Sequence, residues 1–168
     1  MNIIQIADKN IPEKYKDCMR QTAALAATCG IAYELVEIPT QESQEATAAL
    51  SEMKRLELAI TGSHMLYIDG DIVPNPKLFS FINMVKPGTV CCDNLGEHPT
   101  GGLFYVNEQP NVFKDLLRVW KKYPRFGAIR RKCMWHMRHI VIPQECYTHH
   151  FFTRSKNNDG EAKQTSKA

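Results

Sequence analysis

The chain has 168 residues, 43% of them hydrophobic, and a formal net charge of +3, which is enough for one globular domain with a substantial core. No apolar run approaches the roughly 20 residues that a membrane-spanning helix needs, and the N-terminus lacks the basic and apolar regions of a signal peptide. Six scattered cysteines without a Cys-x-x-Cys pair predict reduced thiols and a cytoplasmic protein.

The first part of the chain alternates between short apolar runs and longer segments with helical periodicity. Strands are predicted over residues 2–7 and Tyr33–Ile38, and a third strand leads to Asp69. Helices are predicted over Glu13–Cys29 and Ala46–Ile60, each followed by a glycine that ends it. The order β-α-β-α-β predicts an α/β domain with a mostly parallel central sheet flanked by helices.

The remainder contains five further predicted elements and a polar tail. The elements are helices over Pro76–Val85 and Pro110–Lys122 and strands over Thr89–Cys92, Gly102–Val106 and His139–Ile142. We assign residues 1–154 to a single domain. Residues 155–168 contain no core-forming side chain, so we expect a disordered polar tail there.

Two carboxylates follow the apolar run that ends at Ile68. Asp69 and Asp71 are separated by Gly70, which lets the backbone turn tightly between them. In open α/β sheets, ligands bind beyond the carboxyl ends of the strands, and two neighbouring carboxylates suit a hard divalent cation. The alternative is an Asp-Gly hairpin. Prolines follow within five residues and disfavour a pairing strand, so the pattern favours a metal-binding corner.

Charge is unevenly distributed along the chain. Residues 1–113 contain 8 Lys or Arg and 14 Asp or Glu, whereas residues 114–139 contain nine basic side chains and one acid, Asp115. This basic block predicts contact with an anionic partner, such as a nucleotide diphosphate, a lipid phosphate or nucleic acid. A solvated helix face is the alternative for any single basic residue.

Two neighbouring segments resemble a known family. Ala49–Leu56, which contains Arg55, precedes Ser63–Asp71, which contains the two aspartates. Together they resemble the D-x-D region of GT-A glycosyltransferases, most closely the glycogenin-like and bacterial lipopolysaccharide galactosyltransferase branch. The resemblance implies a single-domain, Rossmann-like GT-A fold. It also implies a hexosyl- or pentosyltransferase that uses a nucleotide-diphosphate sugar with Mn²⁺ or Mg²⁺.

The resemblance implies a set of donor-binding residues. The first strand would line the nucleotide pocket and end at Asp8, for which helix capping is the alternative. Arg55 would lie near the donor sugar and phosphates, and a structural ion pair with Glu52 is its alternative. The implied donor- and cofactor-binding set is Ile6, Ala7, Asp8, Arg55, Asp69, Gly70 and Asp71.

A late histidine supplies a third metal ligand in the family, which implies a metal set of Asp69, Asp71 and His150. Histidine nitrogen suits manganese beside carboxylate and phosphate oxygen. His149 precedes His150 directly, and adjacent residues on an extended chain point to opposite faces. Only one of the two histidines is therefore expected to be the ligand.

The resemblance also suggests residues that act on the sugar or the acceptor. Asp93 and Glu97 follow the predicted strand 89–92 and, with Arg55, are the catalytic candidates. Pro99–Asn107 resembles the family's Asn-x-Gly strand beside the acceptor, with Thr100 in place of the asparagine. The acceptor is expected to be a saccharide, a lipid-linked sugar or nucleic acid.

Two other functions remain open. The first is a small zinc-stabilised nucleic-acid-binding module, whose ligands would come from Cys133, His136, His139, Cys146, His149 and His150. The second is a protein of the same fold that binds a nucleotide sugar without turnover. This alternative arises because the chain is shorter than most members of the family it resembles.

Overall fold

A computed structural model describes residues 1–95, 98–108, 111–122, 139–150, 152–156 and 162–166. Its first half contains strands β1 (Asn2–Asp8), β2 (Ala32–Ile38), β3 (His64–Ile68) and β4 (Ile72–Pro74), and helices α1 (Glu13–Thr28), α2 (Gln44–Thr61) and α3 (Pro76–Ile82). Its second half contains strands β5 (Val90–Leu95), β6 (His98–Asn107), β7 (Ile140–Val141), β8 (Tyr147–His149), β9 (Phe152–Lys156) and β10 (Ala162–Ser166), and helix α4 (Val112–Lys122).

Local sequence signals account for most of these boundaries. Helix α2 begins two residues before the predicted start because Ser43 caps it, its hydroxyl accepting a hydrogen bond from the Ala46 backbone N–H. Helix α3 begins at Pro76 and is capped by Asn75. Strand β7 is shorter than predicted, with two residues. None of the described helices combines the length and apolarity that a membrane crossing needs.

Six strands form the main sheet, in the order β2-β1-β3-β6-β5-β7. Three of its five pairings are parallel, and the two that involve β6 are antiparallel. The predicted α/β class with a mostly parallel sheet is therefore confirmed. The antiparallel β6 keeps β5 running in the same direction as β1 and β3. The carboxyl ends of β1, β3 and β5 therefore lie along one edge.

The sheet separates two apolar layers, as the period-two alternation of strand side chains requires. On β3, Met65 and Tyr67 face helices α2 and α4, whereas Leu66 and Ile68 face the opposite layer. In the first layer the rings of Tyr67, Phe104 and Phe113 stack in series, with centroid separations of 5.3 and 5.4 Å. This aromatic column stabilises the sheet next to Asp69-Gly70-Asp71, which we call the aspartate corner.

Two short ladders lie outside the main sheet. Strand β4 pairs with β8, and not with β3, so Asp69-Gly70-Asp71 is not the turn of a β3–β4 hairpin. The second ladder joins β9 to β10, in the region expected to be a disordered tail. The hydrogen bonds of a β-ladder join backbone groups, so a polar composition does not exclude a ladder. The domain boundary at residue 154 stays a prediction.

Candidate active site

The site begins where β1, β3 and β5 end. Asp8 is the last residue of β1, Asp69 follows β3, and Asp93 lies within β5 at a break in its register with β6. The break is a bulge: Cys92 pairs with Phe104 while Asn94 pairs with Pro99. The sheet therefore brings three carboxylates to one edge, although they are far apart in the sequence.

Asp69 is held through both its backbone and its side chain. Its backbone N–H donates to the Gly102 carbonyl at 2.7 Å, and its carbonyl accepts from the Gln5 amide at 3.3 Å. The Tyr67 hydroxyl donates to Asp69 Oδ1 at 2.6 Å, and Arg55 Nη1 lies 3.7 Å from the same oxygen. These contacts fix the orientation of the carboxylate before any ligand arrives.

The two corner aspartates have raised pKa values. Desolvation raises the pKa of Asp69 to about 6, Arg55 and the Tyr67 hydroxyl oppose the shift, and the charges of Asp71 and Asp93 add to it. The Asp69 side chain nevertheless keeps 41% exposure, so solvent still reaches the group. Desolvation also raises the pKa of Asp71, with His149 as the main opposing charge. A cation at this corner would relieve the repulsion between the two carboxylates.

Arg55 is buried on α2 at 7% exposure. Its Nη1 donates to the Gly101 carbonyl at 2.5 Å, and its Nη2 lies 3.8 Å from Glu52 Oε1. The guanidinium carbon lies 4.9 Å from the centre of the Tyr67 ring, within range for a cation–π contact. The ion pair with Glu52 expected as the structural alternative is therefore present, together with the contact to Asp69.

Asp93 is wholly buried. Its Oδ1 accepts a hydrogen bond from the Leu103 backbone N–H at 3.1 Å, and its Oδ2 lies 3.4 Å from His149 Nε2. In this conformation the carboxylate contacts protein groups on both sides. Its position in the bulge explains how a charged residue is accommodated inside the strand pair.

Strand β8 brings both late histidines to the corner. His149 pairs with Ile72 in the β4–β8 ladder and contacts Asp93 through its ring. The backbone N–H of His150 donates to the Asp71 carbonyl at 2.9 Å. The nearness of the two histidines to the aspartates was expected from the resemblance. The pairing of His149 with Asp93 was not.

Helix α1 packs against the glycine between the aspartates. A Cβ added to Gly70 would lie 3.0 Å from Met19 Cε and 3.5 Å from the side chains of Ile11 and Tyr15. Burial raises the pKa of Tyr15, and the Asp71 and Asp69 charges add to the shift. The absence of a side chain at Gly70 therefore lets α1 approach the corner closely.

The end of β1 presents one carboxylate and a buried amide. Ile6 and Ala7 are core residues, each 7% exposed, so any contact with a ligand would have to use their backbone. Asp8 Oδ2 accepts a hydrogen bond from the Thr40 hydroxyl at 2.8 Å. Gln5 is wholly buried and contacts both Tyr33 and Asp69. A polar residue inside an apolar strand was the signal that could have identified it.

Several predicted residues cannot be placed. Glu97, Cys133 and His136 lie outside the described residues, as does most of the basic block. Of the remaining candidates for zinc, His139 contacts Asn94 at 3.0 Å and Cys146 is a buried free thiol.

The corner suits a cation that takes some of its coordinating oxygens from the protein and the others from a bound phosphate ligand. Asp69 and Asp71 provide carboxylate oxygens, which Mg²⁺ and Mn²⁺ prefer. Within the described ranges, no three His, Cys, Asp or Glu side chains are grouped so that they could hold a metal ion by themselves. Mg²⁺ typically binds one or two carboxylates and takes its other ligands from substrate phosphates and water. The donor set therefore fits a cation that arrives with a phosphate ligand.

No protein-family model matches the sequence, and no curated protein matches it. Solved structures are similar in fold. A glycosyltransferase involved in glycosylation of the major capsid of PBCV-1 has a TM-score of 0.53 and 15% identity, covering 84% of this chain and 80% of that one. The galactosyltransferase LgtC, in complex with donor and acceptor sugar analogues, has a TM-score of 0.51 and 13% identity, covering 83% and 67%.

The apo structure of the bifunctional glycosyltransferase WbbM is also similar, with a TM-score of 0.61 and 14% identity over 86% of this chain. This chain spans 39% of that WbbM chain. These similarities show the fold: the sheet and helices are arranged as in GT-A glycosyltransferases, including bacterial galactosyltransferases. The fold implied by the D-x-D resemblance is therefore confirmed.

Proposed function

We propose that this protein is a metal-dependent glycosyltransferase that transfers a sugar from a nucleotide-diphosphate-sugar donor to an acceptor. The observation that carries the proposal is the position of Asp69 and Asp71 at the ligand-binding edge of a GT-A fold. Fold alone does not determine function. The carboxylates, their raised pKa values and the histidines beside them supply the chemistry.

The proposed cofactor is Mn²⁺ or Mg²⁺. Asp69 and Asp71 would bind the cation, with His150 or its neighbour His149 as a third ligand. When bound, the cation would supply Lewis-acid stabilisation of the diphosphate that leaves. The chain's own aspartates would fix where the diphosphate lies, and helix α1 would limit access of water to that corner.

We propose more limited roles for the other site residues. The backbone of Ile6 and Ala7 and the carboxylate of Asp8 would bind the nucleoside. Asp93 would act through His149, because its side chain is buried against protein groups. Glu97 remains a proposed contact for the sugar or the acceptor.

The acceptor and the compartment are also proposals. LgtC was solved with donor and acceptor sugar analogues, which supports a saccharide acceptor for this chain. On α4, Arg118 and Lys121 retain 80% and 57% side-chain exposure while paired with Asp115 and Glu57. An anionic acceptor, such as a lipid-linked sugar phosphate or nucleic acid, would compete with these acids. Five described cysteines are free thiols, which supports the reducing cytoplasm as the compartment.

A thermal-shift screen tests the proposal. We expect one nucleoside diphosphate family to raise the melting temperature only when Mn²⁺ is present, because a ligand that binds the folded state stabilises it. Asp71→Ala should remove this shift without lowering the melting temperature of the ligand-free protein. Asp115→Ala, an exposed aspartate on α4, is the matched control and should keep the shift.

Turnover separates an enzyme from a nucleotide-sugar-binding protein. Release of the nucleoside diphosphate from the donor that the screen identifies should require both Mn²⁺ and Asp71. Binding without any release, with a range of saccharide acceptors, would favour the non-catalytic alternative. Zinc that is retained at one equivalent through dialysis, together with no nucleotide shift, would favour the zinc module.

A further inference from the structure

We propose that Tyr67 and Arg55 are positioning residues: they hold the Asp69 carboxylate in one orientation, and neither contacts the substrate. This inference rests on the proposed function for the identity of the ligand that Asp69 binds. It differs from the role near the donor sugar that the D-x-D resemblance implies for Arg55. It also adds Tyr67, which the sequence patterns did not identify.

Tyr67 reaches Asp69 because of where both lie on the strand. Residues two apart on an extended strand face the same side, so the spacing of Tyr67 and Asp69 makes the contact local. The Tyr67 ring is buried at 2% exposure, and its hydroxyl donates to Asp69 Oδ1 at 2.6 Å. A hydrogen bond of this length to a carboxylate belongs to the stronger, charge-assisted class.

Arg55 completes the restraint from the neighbouring helix. Its guanidinium lies over the Tyr67 ring at 4.9 Å and over the Phe104 ring at 5.9 Å, and donates to the Gly101 carbonyl. It also lies 3.7 Å from Asp69 Oδ1. With 7% exposure, Arg55 has little surface left for contact with a sugar or phosphate.

Both side chains act on the same oxygen. Among the contacts of the described residues, Tyr67 and Arg55 both meet Oδ1 of Asp69, so Oδ2 is the oxygen presented to a ligand. Asp71 is restrained by other groups: the charges of His149 and His150 and a backbone hydrogen bond favour its ionised form. Of the two aspartates, Asp69 is the one that the Tyr67 and Arg55 side chains are seen to contact. Fixing a ligand through its outer-shell hydrogen bonds typically changes metal affinity by about 10- to 100-fold.

Tyr67→Phe is the variant that tests the inference, because it removes one oxygen and keeps the ring. We expect it to weaken binding of Mn²⁺ with UDP, or with the diphosphate that the screen selects, by about tenfold. Tyr105→Phe is the matched control. Tyr105 is also buried at 4% exposure on the same sheet, but its hydroxyl contacts His64 Nδ1. This control should leave the affinity unchanged.

Melting temperatures without ligand test the contact independently of the proposed function. Tyr67→Phe should lower the melting temperature by about 3 °C in the wild-type background and by less in an Asp69→Ala background, where the hydroxyl keeps only its hydrogen bond with Ser51. Tyr105→Phe should have the same effect in both backgrounds. For Arg55, Arg55→Lys should likewise lower the melting temperature by less in the Asp69→Ala background than in the wild-type background, because only its contact with Asp69 differs between the two.

The outcomes separate the two proposals. Equal effects of Tyr67→Phe in both backgrounds would overturn the positioning role, as would an unchanged affinity for Mn²⁺ with the diphosphate. A loss of nucleotide-sugar affinity in Arg55→Lys without a loss of affinity for Mn²⁺ with the diphosphate would show that Arg55 contacts the donor sugar directly. If the wild-type protein binds no nucleotide, the proposed function fails, and the melting temperatures still decide whether Tyr67 and Arg55 hold Asp69.

Discussion

Removal of the Asp93 side chain tests the buried connection between the main sheet and strand β8. Asp93→Ala leaves the Leu103 N–H without its acceptor, and an unsatisfied buried donor costs about 1–3 kcal/mol. The lost contact with His149, whose side chain is 23% exposed, adds up to about 1 kcal/mol. We therefore expect the free energy of unfolding to fall by about 1–4 kcal/mol.

Urea unfolding measures this loss, which corresponds to a decrease in the midpoint of about 0.5–2 M for a typical slope of about 2 kcal/mol/M. Asp93→Asn is the matched control, because its amide oxygen still accepts from Leu103, and it should cost about 1 kcal/mol or less. A free energy for Asp93→Ala within about 0.5 kcal/mol of the wild type would refute the reasoning. An Asp93→Asn protein that folds normally but no longer transfers sugar would show that the charge acts on the reaction.

Two further predictions concern the corner itself. Desolvation raises the pKa of Asp69 to about 6, so below pH 6 the cation must displace a proton from this carboxylate. The affinity for Mn²⁺ with UDP should therefore be constant above pH 7 and should fall below pH 6. Calorimetry that gives the same affinity from pH 5 to 8 would contradict this. The folded state binds the proton of the Asp69 carboxyl group more tightly than the unfolded state does. The ligand-free protein should therefore become less stable as the pH rises from about 4 to about 6, and its urea midpoint should fall. His149→Ala should lower the melting temperature more than His150→Ala, because the ring of His149 is partly buried against Asp93 whereas His150 is exposed. Equal effects would count against this account of β8.

Local sequence patterns were sufficient for the first half of the fold. The βαβαβ order follows from alternating apolar runs and helical segments, and each predicted element up to Ile68 is present. The aspartate corner was also predictable, because Asp69-Gly70-Asp71 follows a buried strand and precedes prolines that disfavour a hairpin. These features depend on residues within a few positions of one another.

The contacts that organise the site depend on distant residues. Neither the antiparallel direction of β6 nor the break in its register with β5 at Asp93 can be read from a run of β-compatible residues, because register is set by the partner strand. The pairing of β4 with β8 is of the same kind. The β4–β8 pairing brings His149 to Asp93. Because it joins distant segments, no local sequence pattern predicts that these two residues meet.

The β4–β8 ladder also has a consequence for synthesis of the protein. His149 follows Asp69 by 80 residues, and translation at about 5–20 residues per second separates their appearance by roughly 4–16 s. During this interval β4 has no partner strand, although Ile72 is wholly buried in the folded protein. Each nascent chain therefore exposes an apolar strand edge beside its acidic corner for several seconds, and the corner is completed only when β8 has left the ribosome.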